Sequence, residues 1–406
     1  MSLTDNLSFR RVYTLKAQTP ILHFQYSQHG ATLRATEVKP KLDSFIQSRA
    51  KDRIKPEWYI KEGESALNYK LRLEAVGKQE DITPPGDNKE YDIYYGNMSS
   101  KEKKDKAVIK HLIKGDVRMT VLCTIPELSQ IIDEFIAEFF AVTNFGTMQN
   151  KGFGSYIVSE KEKWYNDEKN IYEALMRSSG SFVCYYFYPA KPDKTFKAIK
   201  TVCSLIKSGI NHGGYMRSLL FMYMHDELGI GNEKACLKEE GMVPTDVGRH
   251  ANEWHRNPSN HDPYYVRALL GVGEQLSFIN DITNKSDKTF VKISCVDKDE
   301  KDESKKAIER LASPLFFKVI GEKVYFVTTL INEDIYGKWF EFSVGGRKVE
   351  LQVPTEKELG DEFIDAFIEY CVDRLNGNKG ENALAPFNKN QNLIKLINNQ
   401  AILWEG

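Results

Sequence analysis

Residues 117–158 constrain the fold more tightly than any other stretch. Leu128, Ile131, Ile132, Phe135, Ile136, Phe139 and Phe140 recur at three- and four-residue spacing. That period puts them on one face of an α-helix, and the face needs a partner to cover it. "TIPE", Thr124 to Glu127, reads as a capping box with proline in the first helical turn. Ahead of the helix, "DVRMTVLCT" alternates, with Val117, Met119, Val121 and Cys123 on one side. Such alternation marks a strand covered on one face only. Behind the helix, the loop "NKGFGSY" leads into the short apolar run "SYIV". A one-sided strand next to a one-sided helix implies a sheet with its helices on a single face.

The same grammar runs upstream. "SFRRVYTLKAQTPIL" reads as a long strand ending at Pro20. "GATLRATEVKPKLDSFIQSR" opens at Gly30 and turns helical, with Pro40 tolerable in the first turn. In "LNYKLRLEA", Leu67, Tyr69, Leu71, Leu73 and Ala75 face one way, and Asn68, Lys70, Arg72 and Glu74 the other. The order β-α-β-β-α-β is that of a ferredoxin-like, RRM-like split βαβ domain. It spans 4–180 and is interrupted by a polar insertion at 78–114 that holds the lysine-rich "KEKKDKAVIKHLIK".

A second unit, 181–404, opens on the apolar strand "FVCYYFY". Phe196, Ile199, Val202, Cys203 and Ile206 form a helical stripe, and so do Leu359, Phe363, Ile364, Phe367, Ile368 and Cys371. "FVKISCV", "SPLFFKVI", "KVYFVTTLI" and "WFEFSV" read as strands, with "AILW" as candidate last strand. The expectation is an α+β protein with two ferredoxin-like domains, the second carrying a helical insertion at 209–287.

The formal net charge is −1, so any nucleic-acid site must be a local basic patch on a neutral body. The six cysteines include no CxxC pair. Five of them, Cys123, Cys184, Cys203, Cys295 and Cys371, sit in apolar segments and read as reduced core residues. No metal site and no cofactor are expected. There is no apolar run of membrane-spanning length and no secretory signal, which predicts a cytoplasmic protein without a membrane partner.

Two readings compete for "NKGFGSY". Glycines permit positive φ in an ordinary helix-to-strand turn. They also permit close approach of another backbone, including that of a nucleic acid. Phe153 between them suits a core plug or a stacked base. Lys70, Arg72 and Arg118 fall on the outward face of the sheet, which suits RNA and equally suits a solvated face.

Three motifs in order carry a resemblance: "TPILHF", "GATLRATEVKPKLDSFI" and "GFGSY" after the second helix. Together they resemble the RAMP superfamily of CRISPR-associated proteins, in particular the first-subunit group of the type III-B (Cmr) effector. The matching positions are Thr19, Pro20, Arg34, Lys39, Gly152, Phe153, Gly154 and Ser155. "RLASPLFFKVI" is similar to a recurring strand of that superfamily at Ser313, Pro314 and Lys318. The resemblance implies binding of single-stranded RNA, crRNA or target RNA, through backbone contacts, alongside other effector subunits in antiviral defence. Gly152 and Gly154 would admit the RNA backbone, next to Phe153 and Ser155. Arg34, Lys39 and Lys151 would neutralise phosphates, and Lys70, Arg72 and Arg118 would extend the track. The second half shows no matching glycine loop.

Two other functions stay open. Some superfamily members cleave CRISPR-repeat RNA without metal, using a general base on the ribose 2′-OH. His29, just before the first helix, is the candidate by position, and His212 in "GINHGGYMRSLL" the runner-up. The two-domain pattern favours a subunit that is not an enzyme. The near-neutral charge suits a scaffold that binds only protein. His250, His255 and His261 cluster without helical metal-ligand spacing. Their neighbours Trp254, Tyr264, Tyr265 and Arg267 read as an RNA-facing surface or as a packed insertion.

Overall fold

The computed structural model describes residues 9–22, 32–61, 63–82, 112–180, 184–189, 194–211, 215–243, 262–279, 287–296, 311–375 and 402–404. His29, His212, His250, Trp254, His255, His261 and most of the lysine-rich segment lie outside them. The chain forms two compact units. The first holds Met1–Ser179, Cys184–Phe196 and Phe316–Val327; the second holds Gly180–Val183, Lys197–Leu315 and Thr328–Gly406.

In unit 1, strand β1 is Arg10–Ala17 and β2 is Ile21–Leu22. Helix α1, Ala35–Arg49, follows with Val38, Leu42 and Ile46 buried on one stripe. Pro40 lies in its second turn, not its first. A proline there costs about 3 kcal/mol through the missing N–H and the ring clash. Each of the three buried side chains contributes about 1.5–3 kcal/mol, so the helix survives.

Next come β3, Lys70–Ala75, β4, Glu80–Asp81, β5, Leu112–Lys114, and β6, Val117–Leu122. The small sheet β2-β5-β4 closes the base of the expected insertion, so "HLIK" ends as a strand. Helix α2, Pro126–Val142, takes Ile125 as N-cap, without a side-chain cap. The expected capping box does not form: Pro126 occupies the first helical position, where its fixed φ fits best, and Glu127 falls one residue short of box register. Strand β7 is Tyr156–Val158. Helices α3, Glu162–Asn166, and α4, Glu168–Ser179, were not expected; α4 buries Ile171, Ala174 and Leu175.

The main sheet runs β3-β6-β1-β7 with every pairing antiparallel. Arg11 Nε donates to Ser129 Oγ, and Tyr13 Oη to Asp133 Oδ1, which fixes the odd-numbered side of β1 against α2. Val117, Met119 and Val121 of β6 are buried, with Leu71 and Leu73 half-buried in register beside them. Ala75 is exposed at the edge. Behind the sheet, Phe45, Phe139, Phe140, Phe145 and Tyr156 pack ring to ring at 5.0–6.3 Å. In unit 1 also, β8, Cys184–Phe187, pairs with the strand Lys323–Thr328, which neighbours Leu315–Ile320.

In unit 2, Gln275–Ile279, Lys288–Val296, Trp339–Val344 and Arg347–Gln352 form an antiparallel meander. "FVKISCV" and "WFEFSV" therefore pair with each other, apart from the sheet of β8. The expected helical insertion holds short helices, Leu219–Asp226 and Glu233–Glu239, but also the strand Gln275–Ile279. Helix Phe363–Leu375 and strand Ile402–Trp404 appear near their expected places. Tyr265 and Arg267 are buried, Arg267 paired with buried Glu233, so this part of the histidine-rich segment is packed. Cys123, Cys184 and Cys371 are buried free thiols; Cys203 and Cys295 are only half-buried.

Candidate nucleic-acid interface

The register of the main sheet decides which cations share a surface. Lys70 and Arg10 both oppose Leu122; Arg72 and Val12 both oppose Thr120; Glu74 and Thr14 both oppose Arg118. Side chains alternate along a strand, so these residues stand on the face away from α2, with Lys16 two places beyond Thr14. Arg10, Lys16, Lys70, Arg72 and Arg118 are all exposed. Among the described residues of these register positions the only carboxylate is Glu74, which accepts from Arg72 Nη2 at 2.7 Å. Glu160 sits at the margin, on the Thr14 N–H. Val12 and Leu122, 38% and 39% exposed, form an apolar centre between the cations.

The helix side is electrically closed by contrast. Asp133 accepts from Tyr13 and from Lys161 Nζ at 3.0 Å, and Arg11 lies 3.5 Å away. Burial opposes ionisation of Asp133, but the hydrogen bonds from Lys161 and Tyr13 outweigh it and hold its carboxyl below the usual range. Burial and the neighbouring Asp133 charge push the Tyr13 hydroxyl well above its ordinary value.

Sequence reasoning placed Lys70, Arg72 and Arg118 together, and the register does so. Arg10 and Lys16 stand on the same face. Lys39 is differently employed: its ammonium bonds Asp43 Oδ2 at 2.7 Å and the Leu67 carbonyl at 2.9 Å, and stands over the Tyr69 ring. Arg34 is the half-buried N-cap of α1, its carbonyl accepting from Glu37 and Val38. Because α1 and α2 pack together behind the sheet, Arg34 and Lys39 lie on the opposite side from the sheet cations.

The glycine loop is an internal clasp. Gly152, Phe153, Gly154 and Ser155 are buried; Lys151 alone is exposed. Gly152 and Gly154 have φ of +81° and +65°. The backbone that comes close is the chain's own: Gly154 N–H donates to Pro20, its carbonyl accepts from Phe145 N–H, and a Cβ on it would strike the Phe145 carbonyl. Thr19 Oγ1 donates to the Gly152 carbonyl at 2.7 Å and accepts from Ser155 N–H at 2.9 Å. Phe153 plugs a cluster with Leu22 and Leu112 and stacks on Phe196 at 4.0 Å.

Lys318 is fully buried beside this clasp. Its ammonium donates to the Thr143 carbonyl at 2.8 Å and Asn144 Oδ1 at 3.2 Å, with Tyr156 O at 3.5 Å. Burial pulls its pKa well below the ordinary lysine value. Asn144 in turn donates to Gln149 and Phe317 carbonyls. Among the described residues no group of His, Cys, Asp or Glu is arranged to hold a metal ion, and no helix is long and apolar enough to cross a membrane.

Residues 9–210 match the family model described as the Cmr1 N-terminal domain, and residues 215–395 the Cmr1 C-terminal domain. Among solved structures, the crystal structure of Cmr1 from Pyrococcus furiosus (apo form) aligns over 88% of this chain and 96% of that one, at 10% identity and a TM-score of 0.35. No curated protein sequence matches the chain.

Proposed function

Since the chain belongs to the Cmr1 family, a RAMP-superfamily subunit of the multi-subunit CRISPR type III-B effector, we propose that it binds single-stranded RNA, crRNA or target, on the open sheet face of unit 1. One observation carries this reading. A chain of net charge −1 gathers five exposed cations on one sheet face; among the described residues, Glu74 is the carboxylate at the paired register positions, with Glu160 and Asp116 at the margins, bound to the Thr14 and Ala17 N–H groups. Self-repulsion disfavours such a cluster unless an anion neutralises it. Each phosphate bound there releases counterions, a gain that needs no base sequence. The apolar centre at Val12 and Leu122 offers contact to the ribose rings.

The buried glycine loop contributes indirectly in this account. It fixes the exit of α2 and displays Lys151, while Thr19 and Ser155 lock the clasp from within. Arg34 belongs to the helix side and plays no part on the sheet face. The strand order β3-β6-β1-β7 with two crossing helices supports reading unit 1 as a ferredoxin-like domain. A cytoplasmic site of action is part of this reading.

Fluorescence anisotropy with a labelled single-stranded RNA tests the proposal. Log affinity is expected to fall linearly with log salt, by about 0.7 per neutralised phosphate. Absence of binding at low salt, or binding indifferent to salt, contradicts it.

A further inference from the structure

Unit 2 shows an aromatic ring where an antiparallel sheet ordinarily shows polar residues to water. The strand Lys288–Val296 is an inner strand of the meander. Val291 and Ile293 are buried on one face, while Lys288, Phe290, Lys292 and Ser294 are exposed on the other. Phe290 keeps 52% of its surface in solvent. Ser277 stands opposite it on one neighbouring strand, and Gln275 and Ser343 flank Lys292 on either side. None of these is acidic, and a serine is too small to cover the ring. Among the described residues of this face the carboxylates are Glu341 and Glu350, which face each other; Glu341 opposes Ser294, one outward position beyond Lys292, and accepts from Lys348 Nζ at 2.9 Å. The ring is thus bracketed by two lysines, each about 7 Å along the strand.

We propose that Phe290, flanked by Lys288 and Lys292, is a stacking platform for an unpaired base of RNA, a contact of unit 2 with the ligand class assigned above. The inference rests on the RNA-binding reading and extends it to the second unit. A protein partner fits less well. Cores of protein interfaces are contiguous and apolar and are depleted in lysine. A nucleobase needs only one ring face, with cations near the phosphates on either side. Stacking accepts any base, so the platform adds affinity without sequence preference.

The experiment uses the full chain, a short labelled oligouridylate and an abasic strand with the same ribose-phosphate backbone. Wild type is expected to prefer the base-bearing strand by about 5- to 100-fold, the range of one stacked base. Phe290→Ala is expected to lose that preference and bind the two strands alike, while Phe290→Tyr retains it. Wild-type affinity and base preference in Phe290→Ala overturn the platform and leave the sheet face of unit 1 intact. Failure of the wild type to bind either strand overturns both readings. Unchanged RNA binding in Phe290→Ala with lost assembly onto other effector subunits also overturns the platform, marking a protein-docking face instead.

Discussion

Gly154 lies directly against the carbonyl oxygen of Phe145, so that a Cβ at this position would collide with the backbone of the α2 exit. Its φ of +65° disfavours any L side chain as well. The two effects act together: strain at positive φ and overpacking against an unyielding carbonyl. Gly154→Ala is expected to destabilise unit 1 by about 2–4 kcal/mol, read by denaturant unfolding. Lys151→Ala, at the exposed end of the same loop, is expected to leave stability unchanged. Equal stability of Gly154→Ala and wild type would show that the loop is loose enough to admit another chain.

Lys39 predicts a stability effect without a binding effect. Its removal leaves Asp43, 4% exposed, without the ammonium that neutralises it. Lys39→Ala is expected to cost about 3 kcal/mol, and Lys39→Ala/Asp43→Asn to recover part of the loss. RNA affinity of the folded protein is expected to match wild type. A variant of full stability with weakened RNA binding would return Lys39 to the phosphate track.

Lys318 predicts a pH dependence of definite sign. Burial holds its folded pKa well below the ordinary 10.5. Between the two values the unfolded chain binds a proton that the native state does not. Native stability therefore rises with pH across that window, relative to a chain without the group. Below the folded pKa the penalty is present in full and constant. Other lysines and tyrosines titrate in the same range, so the measurement is the difference between wild type and Lys318→Met. That difference is expected to slope in favour of wild type as pH rises toward 10.5. Parallel stability curves would contradict the assignment.

Much of unit 1 is legible in the sequence because one-sided burial writes itself as period. Val117, Met119 and Val121 announce their face, and so does the Leu128–Phe140 stripe. The register follows, and with it the surface shared by Lys70, Arg72 and Arg118. Arg10 and Lys16 are equally legible in "RRVYTLK", where Tyr13 and Leu15 mark the opposite, buried face. The hairpin of Trp339–Val344 and Arg347–Gln352 was signalled by Gly345-Gly346, both at positive φ. The work of Gly154 was not legible, since its neighbours Pro20 and Phe145 are brought to it only by the fold. Nor was the fate of Lys39, whose i,i+4 pairing with Asp43 looks the same in a solvated helix as in a buried one.

The most direct test of RNA binding on the open sheet face is the salt-dependent affinity of Arg10→Glu/Arg72→Glu/Arg118→Glu against wild type, with unfolding curves on the same samples. These residues are exposed, so the triple variant is expected to fold, at a cost of about 1–2 kcal/mol because Arg72→Glu and Arg118→Glu set like charges against Glu74. Its affinity for single-stranded RNA is expected to collapse, and any residual binding to show a salt slope smaller by about 2, the share of three lost phosphate contacts. A folded triple variant with the affinity and salt slope of wild type would contradict the assignment of this face.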